Sequence, residues 1–351
     1  MSRIMVPATC CKVGEILAND VTNDKDSIIV VKNTVVNQYI KDKFMELQIA
    51  YIWLYQPANN MNDMENEIKF KAKKKNYKDV ILNLKWVLNN LTAGHKLDYE
   101  KLVSIFKVLV GNINENKYIV KCLEDIKGFD EYTYTHCINV GFYSMLIAKW
   151  LDLPEFIIQE VTQAGLLHDI GKVNMPNEIL NKNEKLTPEE FEVIKKHPIY
   201  GYNLIKDISC ISESVKKAVL LHHERIDCSG YPFGYSGSSI SLLANIVSVA
   251  DVYDAMTQDR VYKKKVAPFD AFEMFLTVGK SMFHTTVLNA FLKNIAAFYV
   301  GANVILNNGD TGEIMCIPPK DILSPIISVK SKYIDLSQER SLKVLSLLEQ
   351  Y

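Results

Sequence analysis

QAGLLHDIGK, residues 163–172, closes an apolar run with an imidazole and a carboxylate side by side, His168 and Asp169. Burying either is costly unless it is hydrogen-bonded, ion-paired or bound to a metal. The distribution of histidine indicates which. Of the seven histidines in the chain, five (His136, His168, His197, His222 and His223) lie between Glu131 and Asp254, each beside sequence that reads as a helix or a helix end. Neutral imidazole nitrogens together with carboxylate oxygens suit first-row divalent metals such as iron, manganese or zinc. With Asp169 and Asp251 they make seven candidate ligands. That is too many for one tetrahedral ion and suits two ions sharing a bridging carboxylate.

The sequence around the pair supplies helices to carry these groups. In YTYTHCINVGFYSMLIAKWL, residues 132–151, His136 shares a stripe with Val140, Tyr143 and Ile147 and faces inward. A helix beginning near Leu153-Pro154 is expected to run through QAGLLHDI to Gly171 as its C-cap, leaving His168, Asp169 and Lys172 at or just beyond its end. LTPEEFEVIKKH opens with Thr187 as N-cap, Pro188 at the first helical position and Glu190 three residues after the cap. It delivers His197 to its end, where Pro198 starts another helix. His222 and His223 follow the apolar turn of SVKKAVLL, and HHERIDCSGYPFGYSG, residues 222–237, is a Gly- and Pro-containing shaped loop. In SLLANIVSVADVYDAM, Asp251 falls on the face that carries Ala244, Val247 and Ala255, where a carboxylate needs a cation. Asp254, one turn on, reads as a group that orients a ligand or caps a helix.

The rest of the chain flanks this segment. With 351 residues, 48% of them hydrophobic, the chain can bury a sizeable core and has room for more than one domain. A net charge of −1 gives no global field that favours nucleic acid or a membrane surface. There are four arginines, and two of them, Arg225 and Arg260, fall beside the histidine cluster, where a phosphate ligand would use a fork-shaped cation. Seven cysteines without a CxxC pair suggest a reduced intracellular protein. No signal pattern or apolar run of about 20 residues is present, so the expected location is the cytoplasm, without membrane insertion.

Residues 1–55 read as a small α+β module, with strands in SIIVVKNTVV and IAYIWLY and a helix over Gln38–Leu47. Residues 56–112 form a linker and helical region. Its lysine run KFKAKKK lacks interleaved aromatics and reads as a solvated face, not a nucleic-acid site. Over residues 79–116 two apolar stripes (Val80, Leu84, Val87 and Leu91; Leu102, Ile105, Phe106 and Leu109) suggest helices through which a homodimer would form. His95 follows Gly94 in an exposed turn. SMFHTTVLNAFLKNI reads as a further helix with His284 as a cap or surface residue. Residues 298–351, with a hairpin in VGANVILNNGDTGEIMCI followed by PIISVK and YIDLS, read as a short β-rich module. The expected fold class is mainly α, a helical bundle with these two small modules attached.

LLHDIGK, KLTPEEFEVIKKHP, HHERIDCSGYP and ADVYDAMTQDRVYKK occur in one order, and with them segment 113–295 resembles the HD-GYP domain, a subgroup of the HD-superfamily metal-dependent phosphohydrolases. The resemblance implies an HD-type helical bundle over 113–297 around a two- or three-metal centre. It further implies a bacterial enzyme that hydrolyses cyclic di-GMP through linear pGpG, in some members onward to GMP, by attack of a metal-bridging hydroxide. Carried over position by position, the ligands would be His136, His168, Asp169, His197, His222, His223 and Asp251, with Asp169 bridging. Asp169 and Lys172 would be catalytic, Lys172 contacting the phosphate or assisting the leaving oxygen. Arg260 and Lys264 would meet the phosphodiester backbone, and Tyr231 would lie near the nucleotide. Members with a third metal use a glutamate where this chain has Tyr132, which favours two ions. Histidine-rich ligation suits iron or manganese better than magnesium. The family usually has glycine at the position of Cys228; if that position needs a positive φ, a Cβ costs on the order of 1 kcal/mol and shifts the loop with the metal centre intact. Two other readings stay open: a catalytically silent receptor or signalling adaptor for a cyclic dinucleotide, and a phosphohydrolase of another, hybrid cyclic dinucleotide.

Overall fold

From Thr135 to Ala148 every side chain of the helix Tyr132–Trp150 is buried. A helix apolar all round has no solvent face, and this one forms the centre of a bundle instead of presenting a single inward stripe. It belongs to a computed structural model that describes residues 3–22, 28–47, 49–55, 79–111, 132–180, 182, 184–258, 266–318, 320–330 and 332–348. Around it pack Glu155–Leu167, Leu242–Thr257 and Thr285–Ile295. Pro188–Ile194, His197–Ile205 and Glu213–Leu221 close one end.

The tightest helix pair is Tyr132–Trp150 against Glu155–Leu167, and glycine sets its spacing. A Cβ at Gly165 would stand 2.6 Å from Gly141 Cα, so the two backbones touch where a larger residue would separate them. The helix Glu155–Leu167 ends with His168 as its C-cap, and Ile170–Asn174 follows as a 3-10 turn. Gly171 is therefore not the C-cap expected from the sequence. It is a point of backbone contact, where a Cβ would fall 2.0 Å from the His197 carbonyl and 2.4 Å from the Gly201 nitrogen. The start of the Pro188–Ile194 helix is as read: Thr187 accepts from the Glu190 amide while the Glu190 carboxylate accepts from the Thr187 amide.

The N-terminal segment has its own smaller core, in which Phe44 of the helix Gln38–Glu46 packs with Val6, Ile52 and Leu54. Its strands are β1 (Arg3–Pro7), β2 (Val21–Thr22), β3 (Ile28–Val30) and β4 (Tyr51–Tyr55). There β1 pairs antiparallel with β4 and β2 with β3, so that among the described residues of SIIVVKNTVV only Ile28–Val30 forms a strand. C-terminal to the bundle, β5 (Asn303–Leu306), β6 (Thr311–Cys316), β7 (Ile326–Val329), β8 (Lys332–Asp335) and β9 (Val344–Leu347) form an antiparallel five-stranded sheet in the order β8-β7-β6-β5-β9. Gly309, at φ +87°, turns the β5–β6 hairpin. Val304, Leu306, Ile314 and Ile327 of this sheet share one continuous core with the helices. Met315 and a Tyr51–Tyr333 stack join the N-terminal segment to the same sheet.

Residues 79–92 and Tyr99–Gly111 are helical, and Gly94 ends the first at φ +85° with His95 exposed beside it. Their apolar stripes, from Val80 to Leu109, are buried in the main core of the same chain. This removes the observation that suggested a homodimer, because the faces offered to a second copy are already covered. The lysine run and the rest of 56–78 lie outside the described residues. Among the described residues no helix is long and apolar enough to cross a membrane.

Candidate metal centre

Helix ends bring the histidines together. His168 and His222 are the C-caps of Glu155–Leu167 and Glu213–Leu221, His197 opens His197–Ile205, and His136 and Asp251 project from their helices Tyr132–Trp150 and Leu242–Thr257. The donor atoms fall into two groups, each within 4.8 Å: Asp169, His197, His222 and His223 in one, His136, His168 and Asp251 in the other. All seven expected ligands are thus in one place.

Three of the rings have their protons assigned by their surroundings. Nδ1 of His168 lies 2.7 Å from the Gly165 carbonyl, Nδ1 of His197 2.8 Å from that of Ile194, and Nδ1 of His222 2.8 Å from that of Val219. A carbonyl oxygen only accepts, so each Nδ1 donates and each Nε2 presents a lone pair. Nε2 of His168 lies 3.3 Å from Nε2 of His136, whose pKa burial lowers but hydrogen bonds to Asp251 and Asp254 raise to about 9, so a proton can stand on that nitrogen. Nε2 of His197 and Nε2 of His222 face each other at the same distance, and both of these rings hold their proton on Nδ1. Two lone pairs at that distance cannot hydrogen-bond; they need a cation between them. Two nitrogens each about 2.0–2.1 Å from one ion in tetrahedral geometry stand about 3.3 Å apart, so the spacing fits a shared metal.

Asp169, 1% exposed at its side chain, spans both groups. Its Oδ2 is 3.3 Å from His168 Nε2 and 3.6 Å from His136 Nε2, and its Oδ1 is 3.3 Å from His197 Nε2. With the His197 proton on Nδ1, Oδ1 is a buried carboxylate oxygen without a hydrogen-bond donor, which a bridging role would satisfy. Asp251 spans them too, Oδ1 at 3.1 Å from His136 Nε2 and Oδ2 at 3.7 Å from His223 Nδ1. Burial pushes both carboxyls up, but His168 and Lys172 beside Asp169, and His136 and His223 beside Asp251, hold them well below the usual carboxylate range. Burial, reinforced by neighbouring imidazoles, drives His222 and His223 well below the usual histidine value, the neutral form a metal requires.

Lys172 donates from Nζ to Asp169 Oδ2 at 2.5 Å while its side chain stays 31% exposed, so it both pins the carboxylate and reaches the open side of the site. Tyr231 stacks on His223, ring centroids 4.5 Å apart, and burial pushes its phenol far above the usual range, so it stays protonated. Arg260 and Lys264 lie outside the described residues.

A family model of the HD domain matches residues 131–286. A cyclic di-GMP phosphodiesterase of Pseudomonas aeruginosa is 41% identical over 67% of this chain and 57% of its own length. A 3'3'-cGAMP-specific phosphodiesterase of Vibrio cholerae is 33% identical over 44% of this chain and 33% of its own length. Bd1817 of Bdellovibrio bacteriovorus, described as an HDG"Y"P protein, shares the fold over 83% of this chain and 98% of its own, with a TM-score of 0.51 at 16% identity. The chain is an HD-GYP domain protein. It spans little more than half of the first relative and a third of the second.

Within the HD-GYP loop, residues that sequence reasoning passed over hold the backbone in place. Glu224, 2% exposed, accepts from the amides of Phe233 and Tyr235 at 2.7 and 2.9 Å and so ties the loop back to the histidine pair. Arg225, read from sequence as a phosphate fork, is committed internally instead: it donates to the carbonyls of His222 and Glu224 and to Ser248 Oγ, and lies over the Phe283 ring. A Cβ at Gly230 would strike the backbone of Glu224 and Arg225 at 2.4–2.5 Å. Cys228 has φ +65°, the conformation at which the family's glycine would cost nothing.

Proposed function

We propose that the chain is a metal-dependent phosphodiesterase of the bacterial cytoplasm that hydrolyses cyclic di-GMP to linear pGpG, with GMP as the product of a second cleavage. Two divalent ions, iron or manganese, would be held by His136, His168 and Asp251 on one side and His197, His222 and His223 on the other, with Asp169 between them. The observation that carries this reading is the Nε2···Nε2 contact at 3.3 Å between His197 and His222, whose protons are committed elsewhere, within a cluster of seven candidate donors. When bound, such ions lower the pKa of a water and neutralise the phosphoryl oxygens.

The chain's own groups supply position and proton transfer. Asp169 holds the water's side of the site fixed through Lys172 and the flanking imidazoles. Lys172, partly exposed, donates a hydrogen bond to the phosphate or to the leaving oxygen as the phosphorus–oxygen bond breaks. Tyr231, protonated and stacked on His223, would donate to the substrate beside the histidine pair. Arg260 and Lys264 would pair with the phosphodiester backbone. All seven proposed ligands come from one chain.

A second reading changes the substrate to 3'3'-cGAMP, favoured by the similarity to the Vibrio cholerae enzyme of that specificity. The test is hydrolysis of both dinucleotides by anaerobically purified, iron- or manganese-loaded protein, with metal content measured on it and on Asp169→Ala. Turnover of cyclic di-GMP that vanishes with the metals in the variant supports the proposal. Preference for 3'3'-cGAMP shifts the substrate, and two bound metals without turnover of either make the chain a receptor.

A further inference from the structure

Four of the histidines could be interchangeable as ligands, but His136 is held differently from His168, His197 and His222. Those three donate Nδ1 to neutral backbone carbonyls three residues back. His136 instead meets a carboxylate: its Nδ1 lies 2.6 Å from Asp254 Oδ2. Asp254 is 1% exposed, and its second oxygen accepts from Asn139 Nδ2 at 2.9 Å and Gln258 Nε2 at 2.8 Å. Both amides are themselves buried. A carboxylate with all its oxygens engaged in this way cannot swing out to become a ligand. It fixes the His136 ring with a proton on Nδ1 and Nε2 turned toward Asp251 and His168.

We infer that Asp254 is a positioning residue that makes the two metal positions unequal, the one formed by His136, His168 and Asp251 being the tighter. The inference rests on the binuclear reading above. An imidazole hydrogen-bonded to a carboxylate is a stronger donor to a metal than one hydrogen-bonded to a carbonyl, and removing such a partner weakens metal binding about 10–100-fold. The position formed by His197, His222 and His223 has no corresponding carboxylate behind Nδ1 of His197 or His222. Its ion is the one lost first.

Asp254→Asn separates charge from shape. The amide cannot serve both neighbours: if its oxygen accepts from Nδ1 of His136, its NH2 group is driven against the donors of Asn139 and Gln258. If it flips, the NH2 group faces Nδ1 and moves the histidine proton to Nε2, where a metal must bind. The experiment is stepwise Mn2+ titration of metal-free protein followed by electron paramagnetic resonance, with stoichiometry from elemental analysis and folding from circular dichroism. Wild type is expected to fill in two separable steps. Asp254→Asn is expected to weaken the tighter step about 10–100-fold and leave the other within about threefold. His168→Ala should remove the tighter step and His197→Ala the weaker one, which keeps the assignment testable if Asp254→Asn misfolds. Two steps of equal affinity in wild type, or an Asp254→Asn protein that loses both equally while folded, overturns the inference and leaves the binuclear centre standing. Wild type that binds no ion overturns both.

Discussion

At the scale of single residues, the site depends on positions whose meaning is backbone geometry. Cys228 carries a side chain at φ +65°, where a Cβ crowds the following carbonyl and costs about 1–2 kcal/mol. Cys228→Gly is expected to raise the urea midpoint by the equivalent of about 1 kcal/mol with an unchanged slope. Because Cys228 is exposed and its loop is tied by Glu224, bound metal should stay the same. If the KM for the cyclic dinucleotide falls as well, the strained loop is what limits substrate binding. The conflict at Cys228 was legible in sequence, since the motif names the residue usually found there. The role of Gly171 was not. A glycine just past a run of helical residues reads as a C-cap, and only the packing of His197–Ile205 on the HDIG turn reveals that its missing Cβ makes room for the His197 carbonyl. Asp254 lay between these cases: its distance from Asp251 suggested an orienting group, while its partner, His136, is 118 positions away in sequence.

At the scale of elements, one device recurs. The last carbonyls of a helix have no intrahelical donor. At Glu155–Leu167 and Glu213–Leu221 the C-cap histidine turns Nδ1 onto a carbonyl of the last turn, Gly165 or Val219. The same hydrogen bond ends the helix and aims Nε2 at the metal position. Sequence pattern placed the end of Glu213–Leu221 just before His222 because apolar periodicity stops there, but it carried Glu155–Leu167 on to Gly171, past its C-cap His168. The capping box at Thr187 was readable residue by residue. The approach of two helices was not readable, since Gly141 and Gly165 look like weak points in their own helices until they are set against each other. Gly165→Ala tests that contact. A Cβ 2.6 Å from Gly141 Cα has only backbone to push against, so the variant is expected to lose about 1–3 kcal/mol. Separating the helices also moves His168 from His136, so the ion between them should be lost while that at His197 and His222 is kept. Thermal unfolding with metal analysis reads both, and a variant that keeps wild-type stability and two ions would show that the helix pair does not set the ligand spacing.

At the scale of the whole molecule, the bundle concentrates buried donor groups that a divalent ion would satisfy. The facing lone pairs of His197 and His222 and two buried carboxylates lie within one cluster carried by Tyr132–Trp150, Glu155–Leu167, His197–Ile205, Glu213–Leu221 and Leu242–Thr257. An ion present at about 100 times its dissociation constant adds about 2.7 kcal/mol to the folded state. Chelation is therefore expected to lower the unfolding midpoint by several degrees, and manganese should restore it. The effect should be regional. The N-terminal segment has its own core around Phe44, Ile52 and Leu54, separate from the main core that carries the ligands. Hydrogen exchange after chelation should rise across residues 132–257 and stay unchanged at β4. If β4 loosens in step with the ligand helices, the Met315 and Tyr51–Tyr333 contacts between the N-terminal segment and the C-terminal sheet couple the two cores more tightly than their separation implies. The metal centre would then reach the N-terminal segment through that sheet, the direction in which a signal from the N-terminal segment would have to travel to reach the metals.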